Sequence, residues 1–90
     1  MKISDLKKDK ISEQILALLY SNYPKLLFTS HVASEIIRDE EFIKKLLLNL
    51  LKKGFVAEIK RNSKGAIYLR RSRWTLSDRT YEAYKKHQPN

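Results

Sequence analysis

Apolar residues recur at helical spacing through the first half of this chain and change to strand spacing after Gly54. From Lys8 to Asn22, Ile11, Ile15, Leu16, Leu18 and Leu19 fall on one face, which predicts a first helix. Residues 1–7 alternate charge with Ile3 and Leu6 and read as a short arm or an extension of that helix. Tyr23-Pro24 ends it, because a residue before proline is pushed out of the helical region. Leu26-Leu27-Phe28-Thr29 is a short apolar stretch that reads as a small strand. Ser30 is then expected to cap a short second helix whose buried side is Val32, Ala33, Ile36 and Ile37; Glu35 comes too late to complete a capping box. Arg38-Asp39 makes the next turn, with Asp39 as the cap of a third helix.

That third helix, about Glu40 to Lys53, carries the strongest pattern. Phe42, Ile43, Leu46, Leu47, Leu50 and Leu51 share one half of its circumference, while Glu41, Lys44, Lys45, Leu48, Asn49 and Lys52 share the other. Lys52-Lys53 suits the negative end of the helix dipole, and Gly54 can take the left-handed conformation that stops it. Beyond it, Phe55–Lys60 and Ala66–Arg70 alternate with a period of two and read as strands. The polar loop Arg61-Asn62-Ser63-Lys64-Gly65 joins them into a β-hairpin. The parity of apolar positions slips between Leu69 and Trp74, which predicts a bulge near Arg71-Ser72. Ser77 caps a last helix, about Asp78 to His87, with Tyr81 and Tyr84 on one side.

Composition narrows what this order of elements can do. Ninety residues allow one domain and exclude barrels and doubly wound sheets. The absence of cysteine excludes a disulfide framework, a cysteine nucleophile and thiolate metal sites. Nineteen Lys and Arg against ten Asp and Glu give a net charge of +9, which points to a polyanion or an acidic surface as partner. The longest apolar run, Ile15–Tyr20, is far short of the roughly 20 residues that span a bilayer. No signal peptide is read at the start, so a cytoplasmic location without membrane attachment is expected.

Two stretches carry a family likeness. Ile43–Val56, with Leu-x-x-Leu-type spacing running into Lys53-Gly54-Phe55-Val56, resembles the end of a recognition helix passing into the first strand of a wing. Trp74-Thr75-Leu76-Ser77-Asp78-Arg79-Thr80-Tyr81 resembles the aromatic-x-Leu-Thr-x-x-Gly pattern before the helix that follows the wing; here Ser77 replaces the usual Thr and Thr80 the usual Gly. Taken in order, they resemble the winged helix-turn-helix domains of MarR-like and PadR-like prokaryotic and archaeal regulators, over about residues 8–86. The resemblance implies an α+β, mainly α, single domain filling residues 1–90: a three-helix core, a β-hairpin wing and a C-terminal helix. It also implies binding of double-stranded DNA and transcriptional regulation. In that fold the third helix enters the major groove, the second crosses the backbone, and the hairpin reaches phosphates or the minor groove.

Lys60, Arg61, Lys64, Arg70, Arg71 and Arg73 place six cations and no acid within residues 60–73. Such a segment suits a phosphate backbone, with Asn62 and Ser63 as neutral donors and Tyr68 as an aromatic face; a solvated hairpin edge explains the arginines less well. On the third helix Lys44, Lys45, Asn49 and Lys52 are suitable donors to base edges, and Leu48 suits a thymine methyl or a partner subunit. Asp39, Glu40 and Glu41 oppose this. They read first as capping and dipole partners, and a helix in the groove requires them to point away or Glu41 to accept from cytosine. By analogy with the family, Ser30 and His31 are the second helix's phosphate neighbours.

His31 and His87 lack metal-ligand spacing, and Gly54 and Gly65 cannot form a phosphate cradle, so no enzyme, metal or cofactor is expected and no ligand pocket is visible. Trp74 reads as core at the base of the wing, and Tyr81 and Tyr84 as packing for the last helix. Ile3, Leu6, Tyr20, Tyr23, Tyr81 and Tyr84 are alternatively read as a two-fold interface, so a homodimer is expected. The rival readings are a winged helix used as a protein-interaction module, for which Leu48 and the acidic turn speak, and RNA binding through the basic hairpin.

Overall fold

A computed structural model describes residues 5–60 and 71–87. In order these form α1 (Asp5–Asn22), β1 (Leu27–Phe28), α2 (Thr29–Ile36), α3 (Glu40–Lys52), β2 (Val56–Ile59), β3 (Arg73–Leu76) and α4 (Asp78–His87). The hairpin loop at Arg61, Asn62, Ser63 and Lys64 and the expected strand Ala66–Arg70 lie outside the described residues, as does Ile3.

The extension reading of the N-terminal segment is correct for residues 5–7, which belong to α1. Ile11, Ile15 and Leu19, spaced four apart, form a continuous buried stripe along this helix, with Leu16 and Leu18 packed beside it. The stripe meets Val32 and Ala33 of α2 and Ile43, Leu46, Leu47 and Leu50 of α3, so one core holds all three helices. The α3 face predicted from the sequence is the face that is buried, and Leu48 on its other side is exposed.

Local signals set the ends of α3. Asp39 Oδ2 accepts from the Phe42 amide at 3.1 Å. At the other end Gly54 has φ +82°, a backbone conformation that suits glycine. The amides of Gly54 and Phe55 return to the carbonyls of Leu51 and Leu50, completing a Schellman stop.

The second helix corrects two expectations. It begins at Thr29, and Phe28 occupies the cap position without a side-chain bond; Ser30 lies in the first turn. The cause is the sheet. Phe28 is still paired with Arg73, so the chain passes from strand to helix with no turn between. Thr29 is drawn inward, where its hydroxyl accepts from the Trp74 indole N–H at 2.8 Å. At the far end Ile37 is not on the buried side: it adopts φ 60°, ψ 56° as the C-cap, which turns its side chain outward, 85% exposed.

The sheet adds to the expected hairpin. Residues 73–76, beyond the expected strand Ala66–Arg70, form among the described residues the central strand of a three-stranded antiparallel sheet ordered β1-β3-β2. Trp74 opposes Leu27 on one side and Glu58 on the other. Its side chain and that of Leu76 point into the core, so Trp74 does close the base of the hairpin.

Ser77 caps α4 as expected, accepting from the Thr80 amide at 3.2 Å. Tyr81 stacks on Tyr23 at 3.9 Å between ring centroids, and Tyr20 lies 5.5 Å from Tyr81 and 5.4 Å from Tyr84. The Tyr23 hydroxyl donates to Asp78 Oδ1 at 3.1 Å, and this bond to a carboxylate, with lesser help from burial, raises its pKa above the ordinary 10.0.

Candidate nucleic-acid interface

A residue on α3 faces the same way as those four before and after it. Glu40, Lys44 and Leu48 therefore form one stripe, and that stripe is one wall of a groove of about 440 Å³. Lys60, Glu58, Arg71 and Ser72 at the base of the hairpin make the opposite wall, and Phe28, Thr29 and Ser30 at the start of α2 close one end.

The far wall is held by a polar clamp. The Ser72 hydroxyl donates to Glu58 Oε2, tying the end of β2 to the residue before β3. Glu58 Oε1 also lies 3.9 Å from Lys60 Nζ, and the Glu58 side chain is only 13% exposed against 57% for Lys60. Glu58 thus anchors the wall while Lys60 projects from it. The Arg71 guanidinium lies 5.4 Å from the centroid of the Phe28 ring, a cation–π contact that orients a cation at the groove's rim.

The groove gathers five of the residues singled out in the sequence: Ser30, Lys44, Leu48, Lys60 and Arg71. Lys45, Asn49 and Lys52 are exposed on α3 but do not line it. His31 is exposed on α2 with Nε2 3.7 Å from Glu35 Oε1, one turn on. Arg73 is half-buried within the sheet, opposite Phe28 and Ile59. Arg61, Asn62, Lys64 and Arg70 lie outside the described residues.

Two carboxylates change the electrostatic picture. Asp39 is occupied as a cap, but Glu40 faces the groove rather than away from it. Glu58 was not singled out in the sequence; its signal was that it is the one acid in a segment, 55–73, otherwise rich in cations. The wall cations Lys44, Lys60 and Arg71 therefore share the groove with two acids.

Of the residues read as a two-fold interface, Tyr20, Tyr23, Tyr81 and Tyr84 pack on one another within the chain and are half-buried, while Leu6 is 69% exposed. Among the described residues no group of three or more His, Cys, Asp or Glu is placed to hold a metal ion, and no helix is long and apolar enough to cross a membrane.

No protein-family model and no curated protein matches the sequence. Solved structures do match the fold. The S. aureus MepR–DNA complex is 20% identical, with a TM-score of 0.68, covering 89% of this chain and 65% of its own. S. aureus MepR in its DNA-binding conformation is 18% identical, with a TM-score of 0.69, covering 92% of this chain and 61% of its own. ZitR, a zinc-responsive MarR family member from Lactococcus lactis, is 17% identical, with a TM-score of 0.65, covering 97% of this chain and 52% of its own. This chain thus spans between half and two thirds of the length of these structures. Its helices and sheet have the winged-helix fold of these MarR-family structures.

Proposed function

We propose that this protein is a transcriptional regulator that binds double-stranded DNA as a cytoplasmic homodimer, with α3 in the major groove and the basic hairpin on the phosphate backbone. The groove is the observation that carries the reading. It brings cations from α3 and from the hairpin base onto one concavity, next to the start of α2, and a DNA complex is among the structures that share the fold. In this reading Lys60, Arg71, the loop cations Arg61 and Lys64, and Arg70 of the expected second hairpin strand neutralise phosphates, with Asn62 and Arg73 beside them. Such contacts release counterions and supply affinity without sequence information. Ser30 and His31 meet the backbone at the start of α2. Lys44, Lys45, Asn49 and Lys52 meet base edges, with Leu48 against a thymine methyl. Ile3, Leu6, Tyr20, Tyr81 and Tyr84 belong to the two-fold contact. Binding, not catalysis, is the activity.

Glu40 in the groove beside the exposed Leu48 favours a second reading, a winged helix that docks on another protein. Anisotropy of a labelled duplex across a salt series decides between them. The DNA reading expects log affinity to fall steeply with log salt, and the Lys60→Ala/Arg71→Ala pair to flatten the slope by about two phosphate contacts, roughly 0.9 units each. No binding at low salt, or a slope indifferent to the pair, overturns it.

A further inference from the structure

On another face of the molecule α4 sorts its charges. Asp78 and Glu82, four apart, lie toward Tyr23: Asp78 accepts its phenol, and Glu82 is close enough to act on it. Arg79 and Ala83, also four apart, line a separate trough of about 380 Å³, and Lys86 follows them one turn further along. Leu16, Gly54, Phe55, Thr80 and Tyr84 also line this trough, and Lys53, just past the end of α3, lines it together with Arg79 of α4. It shares no residue with the groove between α3 and the hairpin.

Three properties of the trough define what it fits. Its floor is apolar and accessible: Phe55 is 41% exposed, and Leu16 and Tyr84 are half-buried. Among the described residues its lining holds two cations, Lys53 and Arg79, and no acid; Glu13 on α1, outside the lining, raises the pKa of Tyr84 after burial has done so. It is an open channel, unlike the enclosed pockets that bury most of a small ligand's surface.

We propose that this trough is a docking site for an acidic, amphipathic peptide segment of a partner protein, its apolar side chains on Phe55, Leu16 and Tyr84 and its carboxylates against Lys53 and Arg79. Aromatic and aliphatic anchors on such a floor supply the affinity, and the two cations of the lining set the sign of the partner. The inference is independent of the DNA reading, because the residues it uses are separate from the groove.

The test is selection of random twelve-residue peptides displayed on phage against the immobilised full chain. The expected result is an enriched set with net negative charge and two or more Leu, Ile or Phe. Synthetic copies should lose at least tenfold in affinity to Phe55→Ser and to Lys53→Glu/Arg79→Glu. Selection repeated on the charge-reversed pair should enrich basic peptides instead. Both variants replace exposed side chains, and an unchanged circular dichroism melt shows that each is folded. Absence of enrichment, peptides without a charge bias, or affinities unmoved by the variants overturns the proposal. So does a dimer in light scattering that Phe55→Ser dissociates, since the trough is then occupied by a second copy.

Discussion

Ile37 is a β-branched residue at φ 60°, ψ 56°, and 85% of its surface is exposed. Its side chain gains little from packing, while the left-handed conformation costs an L-residue about 1–2 kcal/mol. The position exists because α2 must stop within two residues of Asp39, and the Ile37 and Arg38 amides both return to the Ala33 carbonyl to stop it. Glycine meets the same backbone requirement without the steric cost, although it loses more freedom on folding. Ile37→Gly is therefore expected to stabilise the protein by about 0.5–1 kcal/mol, read as a higher urea midpoint at unchanged slope. A lower midpoint would show that Ile37 makes an apolar contact worth more than the strain. Trp74 is the opposite case. It is fully buried, and its one polar atom is matched to Thr29, so the residue that looked like core in the sequence is core for a reason visible only in space.

At the scale of elements, α4 depends on Ser77 more than on a core of its own. Thr80 is its one buried residue, and the tyrosine cluster is half-exposed. Ser77 accepts from the Thr80 amide, lies 2.8 Å from the Thr80 hydroxyl and donates to the Gly54 carbonyl at 2.9 Å, while its own amide bonds Phe55. Ser77→Ala should cost about 1–2 kcal/mol and speed amide exchange in residues 78–87 more than in α3; Ser77→Thr should restore both. Equal protection in the alanine variant would sink this role. The contrast with α2 explains what the sequence made legible. Asp39, Gly54 and Ser77 bracket α3 and α4 with signals a few residues away from what they control, and the expected bounds of those helices agree with the structure to within a residue. The start of α2 is set by the pairing of Phe28 with Arg73, 45 residues on, and no local pattern encodes that. The same distance hid β3. Arg73-Trp74-Thr75-Leu76 is too short to show a period, and it is a strand because β1 and β2 flank it. Glu58 entered the groove unnoticed for a related reason: its position matters only once the hairpin is folded against α3.

For the whole molecule, a net charge of +9 says how strongly a polyanion is drawn in, while the placement of acids says how closely it is allowed to approach. Glu40 has two effects of opposite sign. In the first turn of α3 its carboxylate complements the helix dipole, worth about 0.3–1 kcal/mol of stability. In the groove wall it stands one turn from Lys44, where a phosphate drawn to that lysine also meets a negative charge. Glu40→Gln keeps the size and removes the charge, so it should lower stability by about 0.3–1 kcal/mol. It should also raise duplex affinity about threefold at low salt, with the gain fading as added salt shortens the range of the repulsion to about 8 Å at physiological ionic strength. The two shifts are read on one protein, by thermal melting and by anisotropy, and their opposite directions separate a local packing effect from a field acting on the ligand. A gain that is equal across duplex sequences makes Glu40 a brake on backbone binding. A gain confined to duplexes that change one base pair makes it a reader of that position. Duplex affinity unchanged while stability falls would mean that α3 does not approach DNA, and the groove would then belong to the protein-docking reading.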